Sequence, residues 1–169
     1  MKTRTAAALG TLVFFFVAPM TVAVWVPYLM TGWTPGAQFF GPVVHRGVGG
    51  ALIVIGTAGL VESFVRFVMK GRGTPAPIAP PETLVVTGLY RFVRNPMYVS
   101  ILAILIGESL WLARVDLAIY ATIVFAATAV WVGIYEEPTL RRKFDGSYQT
   151  YCANVPRFLP RLTPWEPGR

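Results

Sequence analysis

Gly88-Leu89-Tyr90-Arg91-Phe92-Val93-Arg94-Asn95-Pro96-Met97-Tyr98 stands immediately before a long apolar run. Asn95 is a favoured helix N-cap residue, and Pro96 suits the first helical position, where its missing N–H leaves no bond unmade. The pair predicts a membrane-length helix starting at Pro96, its unpaired backbone N–H groups facing out of the bilayer. That end carries a partial positive charge, and Arg94 stands beside it. A helix N-terminus with an adjacent arginine is a receptor for a carboxylate or phosphate. A capped helix with a basic cytoplasmic flank shows the same pattern, so this stretch alone leaves anchoring and binding both open.

The rest of the chain sets that helix in a membrane. Its 169 residues fit one domain, 54% are hydrophobic and only 14% charged, and the mean hydropathy is +0.56. A soluble domain is far less apolar. The net charge of +7 sits beside apolar runs, which orients a membrane protein and argues against nucleic acid as a partner. Cys152 is the one cysteine and His45 the one histidine. An intramolecular disulfide, a multi-thiolate metal site and a histidine-rich di-iron centre are therefore excluded, and no metal is expected.

Four membrane spans are expected, at residues 6–30, 43–68, 96–113 and 117–135. The first apolar run follows Lys2 and Arg4, is too long for a signal peptide with no clear cleavage site, and should kink at Pro19. Residues 31–42 are rich in Gly and Pro, contain no Lys or Arg, and carry Trp33, Phe39 and Phe40, as an outer loop with an aromatic belt would. Gly47, Gly49, Gly50, Gly56 and Gly59 allow a close helix–helix approach in the second span. Glu62 and Arg66 share a helix face there, and His45 is expected at the outer interface. The Pro- and Gly-rich stretch 70–81 reads as a non-helical part of a cytoplasmic linker, 70–95. Glu108 lies inside the third span near its outer end, where a polar partner or interface water would satisfy it. Of the fifteen Lys and Arg residues, all but Arg46 and Arg114 fall on the side of the termini and the linker, so that side should be cytoplasmic.

Tyr135-Glu136-Glu137-Pro138 ends the fourth span, placing two carboxylates where a helix C-terminus disfavours negative charge. Arg141, Arg142 and Lys143 can compensate them, or a bound cation can. Residues 136–169 form the cytoplasmic C-terminal segment. In it Leu140, Phe144, Tyr148 and Tyr151 recur at helical spacing, interrupted at Asp145-Gly146, as in an amphipathic helix lying on lipid headgroups. The third and fourth spans form a hairpin, so Arg94-Asn95 and Glu136-Glu137 emerge together at one face. Anion-binding donors beside carboxylates suit an amino-acid zwitterion, and the surrounding aromatic residues can face a base or a sulfonium.

With these residues in hand, the chain resembles the isoprenylcysteine carboxyl methyltransferase and phospholipid methyltransferase superfamily. The shared pattern is Gly88-x-Tyr90, Arg94-Asn95-Pro96-x-Tyr98, Glu136-Glu137-x-x-Leu140, Phe144, Tyr148, Tyr151 and Val155-Pro156-Arg157. The isoprenylcysteine branch usually has histidine in place of Asn95 and more than four spans. The resemblance implies an all-α integral membrane enzyme that transfers a methyl group from S-adenosylmethionine, held at the cytoplasmic face under the C-terminal segment. It places Tyr90, Arg94, Asn95, Tyr98, Glu136 and Glu137 at the cofactor.

Beside it, Glu137 is the nearest general base for an amine or hydroxyl acceptor, and Arg157 is expected to hold an anionic group of the substrate, with Tyr148 and Tyr151 lining its path. The acceptor should be a lipophilic or amphiphilic small molecule arriving laterally from the membrane lipids. Localisation would be multi-pass in a bacterial-type inner membrane. Two alternatives stand beside this reading. A membrane sterol or enone reductase has a similar Arg-His-Pro-x-Tyr hairpin but uses NADPH. A non-enzymatic membrane scaffold accounts for the basic tail but leaves the paired glutamates unexplained.

Overall fold

The computed structural model describes residues 17–37, 41–71 and 83–166, and these are all-helical. We label the helices α1 (Val17–Thr31), α2 (Pro42–Gly71), α3 (Pro96–Leu112), α4 (Val115–Trp131) and α5 (Glu137–Asn154). The expected first span falls partly on residues outside the described ones, and Phe39, Phe40 and residues 72–82 of the linker lie outside them too. Among the described residues, two helical stretches are long and apolar enough to cross a membrane: His45–Arg66, and the continuous helix beginning at Val115. Val17–Thr31 and Pro96–Leu112 are shorter apolar helices. Val54, Ile55, Ile119, Ile123 and Ile134 are exposed, as side chains facing lipid would be.

α2 and α3 pack along the glycines that the sequence marks. A Cβ on Gly49 would lie 2.7 Å from the Trp111 backbone nitrogen, and one on Gly56 2.7 Å from the Ser100 carbonyl oxygen. Seven residues apart, these two glycines let the helix backbones touch along one face, the small-residue packing familiar in membranes. Gly47 meets nothing within 4 Å, so it takes no part. His45, expected at an interface, is instead buried, with Nδ1 3.0 Å from the Leu110 carbonyl oxygen. α1 joins through a core of Ala23, Leu60, Phe64 and Ile104, and Tyr120 Oη donates to the Val22 carbonyl at 3.0 Å. The α3–α4 connection is tight: Ala113 is left-handed and Arg114 extended. Arg114 then grips Asp116 through two bonds of 3.0 and 2.6 Å, with Asp116 in the first turn of α4, where a negative charge is favourable.

Three expectations change here. The helix expected to stop before Lys70 continues to Gly71. More consequentially, the helix does not end at Glu136-Glu137. It widens into a π-turn, Val132–Glu136, in which the Glu137 N–H bonds to the Val132 carbonyl, and runs on as α5. Pro138 cannot donate a backbone bond, and its ring crowds the carbonyl four residues earlier. Widening the helix by one residue just ahead of the proline absorbs both defects. The same device occurs in α1, where the π-turn Thr21–Trp25 precedes Pro27.

The third change concerns the apolar stripe of α5. Tyr148, Tyr151 and Val155 are buried against Leu84, Val86 and Trp165, with Leu140 and Phe144 packed alongside. The stripe expected to face lipid is turned onto the protein's own loop and tail. Arg141, Arg142 and Lys143 lie on the exposed face. The predicted break falls at Asp145, whose φ of 39° departs from the helix.

Candidate functional site

The site is built where the turn Gly88–Arg91 and the start of α3 meet the π-turn, α5 and the tail. Pro96 occupies the first turn of α3 as predicted. Asn95 sits at the N-cap position, but its side chain makes no capping bond. Its Nδ2 instead donates to the Arg157 carbonyl at 3.1 Å. That bond is one of a row joining residues 91–95 to the tail. The Arg94 N–H donates to the Pro156 carbonyl, Arg161 N–H to Phe92, and Trp165 N–H to Arg91, each at 2.9 Å. Arg91 closes the far end through Nε to the Trp165 carbonyl at 2.8 Å and an ion pair with Glu166 at 3.0 Å. The tail is a strap, held by the backbone of the very segment that opens α3.

Under the strap lies a charge triad. Glu137 is buried, its side chain 7% exposed, and accepts from two arginines. Arg94 Nη1 lies 2.9 Å from Oε1, with Arg94 itself only 11% exposed. Arg157 straddles the carboxylate with Nε on Oε1 at 2.8 Å and Nη2 on Oε2 at 2.6 Å. Such a planar two-point grip is what an arginine side chain is shaped for. Bonding to Glu137 raises the Arg157 pKa above its ordinary value, against the opposing effect of desolvation. Glu137 is therefore compensated by Arg94 and Arg157, while Arg141, Arg142 and Lys143 lie on the exposed face of α5. Arg94 Nη1 also donates to Cys152 Sγ at 2.7 Å, whereas Arg94 Nε is buried with no partner among the described residues.

Glu136 is treated differently. It accepts one bond, from Tyr98 Oη at 2.9 Å, and no cation is paired with it among the described residues. Tyr90 is buried nearby. Burial pushes its phenol pKa well up, and the charges of Tyr151, Glu136, Glu62 and Tyr98 add to the shift. Tyr151 Oη donates to the Tyr90 carbonyl at 2.7 Å, so the turn Gly88–Arg91 rests on the buried tyrosine face of α5.

The predicted residues fall into three groups. Arg94, Glu137 and Arg157 form the triad, with Asn95 tied to the Arg157 backbone. Tyr98 and Glu136 form a hydrogen-bonded pair, with Tyr90 beside them. Tyr148 and Tyr151 lie in the apolar cluster beneath the strap. Cys152 as a neighbour of Arg94 has no signature in the sequence, because it depends on the winding of α5. The strap contacts are equally silent, since most of them use backbone atoms.

The described residues thus form an apolar helical bundle, closed at one end by a buried arginine–glutamate triad. Its family is shown by comparison with known proteins: the phospholipid methyltransferase family matches residues 44–147, more than half of the chain, and the chain belongs to it. It is thus a methyltransferase of the isoprenylcysteine and phospholipid methyltransferase superfamily. The match takes in the segment 88–98 and both Glu136 and Glu137, and it ends before Tyr148, Tyr151 and Arg157. No curated protein and no solved structure matches the chain.

Proposed function

We propose that this protein transfers a methyl group from S-adenosylmethionine to a lipophilic or amphiphilic acceptor at the cytoplasmic membrane face. In this reading the chain crosses the membrane four times and keeps both termini in the cytoplasm. The acceptor carries a carboxylate, amine or hydroxyl as its nucleophile. The observation that carries the reading is the unequal treatment of the two glutamates. Glu137 is saturated by two guanidinium groups, whereas Glu136 pairs with no cation among the described residues and accepts from the half-buried Tyr98.

The donor set fits an amino-acid zwitterion. Arg94 Nε is a buried donor with no partner, and unpaired buried donors are costly unless a ligand meets them. In our assignment it takes the cofactor carboxylate, while Glu136, oriented by Tyr98, accepts the ammonium. Glu137 holds Arg94 and Arg157 in place. The cofactor supplies an electrophilic methyl group on a sulfonium. The chain's own work is alignment and exclusion of water, and positioning alone can supply several kcal/mol, up to about 7–11.

Arg157 is half-exposed at 41%, so it can leave Glu137 to hold an anionic acceptor at modest cost. Its departure frees Glu137 Oε2, which then takes the proton from an amine or hydroxyl acceptor. A carboxylate acceptor needs no such step.

S-Adenosylhomocysteine, the demethylated product, should stabilise the detergent-solubilised protein and NADPH should not. The shift follows RT ln(1 + [L]/Kd), about 2.7 kcal/mol at a hundredfold excess over Kd. A shift with NADPH and none with S-adenosylhomocysteine would turn the reading to a reductase.

A further inference from the structure

Glu62, on α2, stands outside the residues assigned above. Its Oε1 accepts from Arg66 Nε at 2.8 Å, while its Oε2 is buried with no partner among the described residues. The side chain as a whole is 33% exposed, so the carboxylate lies at an accessible edge with one oxygen turned inward. Gly88 makes that placement possible. Its φ is +59°, and a Cβ there would collide with Glu62 Oε1 and stand 2.9 Å from Arg66 Nε. The first glycine of the motif thus clears space for a carboxylate delivered by another helix. Thr87 Oγ1, one residue earlier, is likewise buried without a partner. Two unmet polar groups from different elements therefore converge on the turn that carries Tyr90. Ion pairing does not need the inner oxygen, because Arg66 is already engaged through Oε1.

The chemistry of the two carboxylates near Tyr90 differs. Glu136 pairs with no cation among the described residues and suits an ammonium. Glu62 is already neutralised by Arg66, which leaves a good acceptor of little net charge, suited to a neutral hydroxyl. A carboxylate is a fitting acceptor for ribose hydroxyls, as dinucleotide-binding folds show.

We propose that Glu62 is a further ligand-binding residue, its free Oε2 accepting a hydrogen bond from a ribose hydroxyl of the cofactor; this rests on the S-adenosylmethionine reading above. Thr87, the residue before Gly88, carries the second unmet polar group of this turn. Glu62 acts on binding and contributes no proton transfer.

Calorimetric titration of the purified, detergent-solubilised protein with S-adenosylhomocysteine and its 2′,3′-dideoxy analogue tests this directly. The wild-type protein should prefer the hydroxylated ligand by about tenfold or more, as a charge-assisted hydrogen bond implies. Glu62→Ala should bring the two affinities within about twofold of each other, the sign that the hydroxyls and Glu62 are coupled. Glu62→Gln keeps the side-chain shape, protects against a folding failure in the alanine variant, and should give an intermediate ratio. An unchanged preference in both variants would overturn the proposal while leaving the cofactor reading intact. Failure of the wild-type protein to bind either ligand would overturn the cofactor reading itself, and the proposal with it.

Discussion

Replacing Arg94 by alanine tests whether the charge balance under the strap rests on the buried member of the triad. Glu137 and Arg94 are 7% and 11% exposed, whereas Arg157 is 41% exposed. Truncating one partner of a buried ion pair costs about 3–5 kcal/mol. Arg157 remains on the carboxylate in Arg94→Ala, so the loss should fall at the low end, about 3 kcal/mol. Glu137→Gln leaves Arg94 buried against a neutral partner and should cost a similar amount. Arg157→Ala keeps the buried contact and admits water to the carboxylate, so it should cost about 1 kcal/mol, the upper part of the exposed-pair range. The double variant Arg94→Ala/Glu137→Gln should lose less than the sum by about 2 kcal/mol. Reversible unfolding in detergent, followed by circular dichroism, reads all four variants. For a chain of this size a loss of 3 kcal/mol lowers Tm by roughly 6–12 °C. Strictly additive losses, or an Arg157→Ala variant less stable than Arg94→Ala, would refute the reasoning.

Two further predictions concern the frame that holds the site. Gly49→Ala should destabilise the protein by about 1–3 kcal/mol through overpacking against α3, whereas Gly47→Ala, which meets nothing within 4 Å, should be neutral or slightly stabilising in the same unfolding assay. For topology, cysteines placed at Arg4, Thr74 and Arg169 in a Cys152→Ala background should resist an impermeant thiol reagent in intact cells, and one at Gly36 should react; labelling of the first three would overturn the four-span arrangement.

What could be read from the sequence was local. Pro96 marks the start of α3 because a proline at the first turn costs no hydrogen bond. Gly49 and Gly56 mark the α2–α3 contact because only a missing side chain permits that approach, and Asp145-Gly146 marks the break in α5. The same locality explains the failures. Pro138 argues for a helix end, yet a single π-turn absorbs its missing bond, which moves Glu137 from a supposed C-terminus into the first turn of the next helix. Asn95 has the residue type of a capping side chain, but the Arg157 carbonyl competes for its amide. The stripe of Leu140, Phe144, Tyr148 and Tyr151 has the right period for an amphipathic helix, and period does not say whether lipid or protein covers it. Arg157 stands out as a basic residue of the tail, but its grip on Glu137 depends on a strap whose bonds run through the backbone of Pro156, Phe92 and Trp165.

Methyl transfer itself tests the central claim most directly. Purified protein incubated with methyl-labelled S-adenosylmethionine and a total lipid extract should move label into the organic phase. Glu136→Gln should suppress that transfer strongly, because it removes the charge assigned to the cofactor ammonium. Arg142→Ala, on the exposed basic face of α5, should alter it only slightly and in a salt-dependent way. Label transfer that survives Glu136→Gln and is abolished by Arg142→Ala would contradict a site at the mouth of α3 and the π-turn.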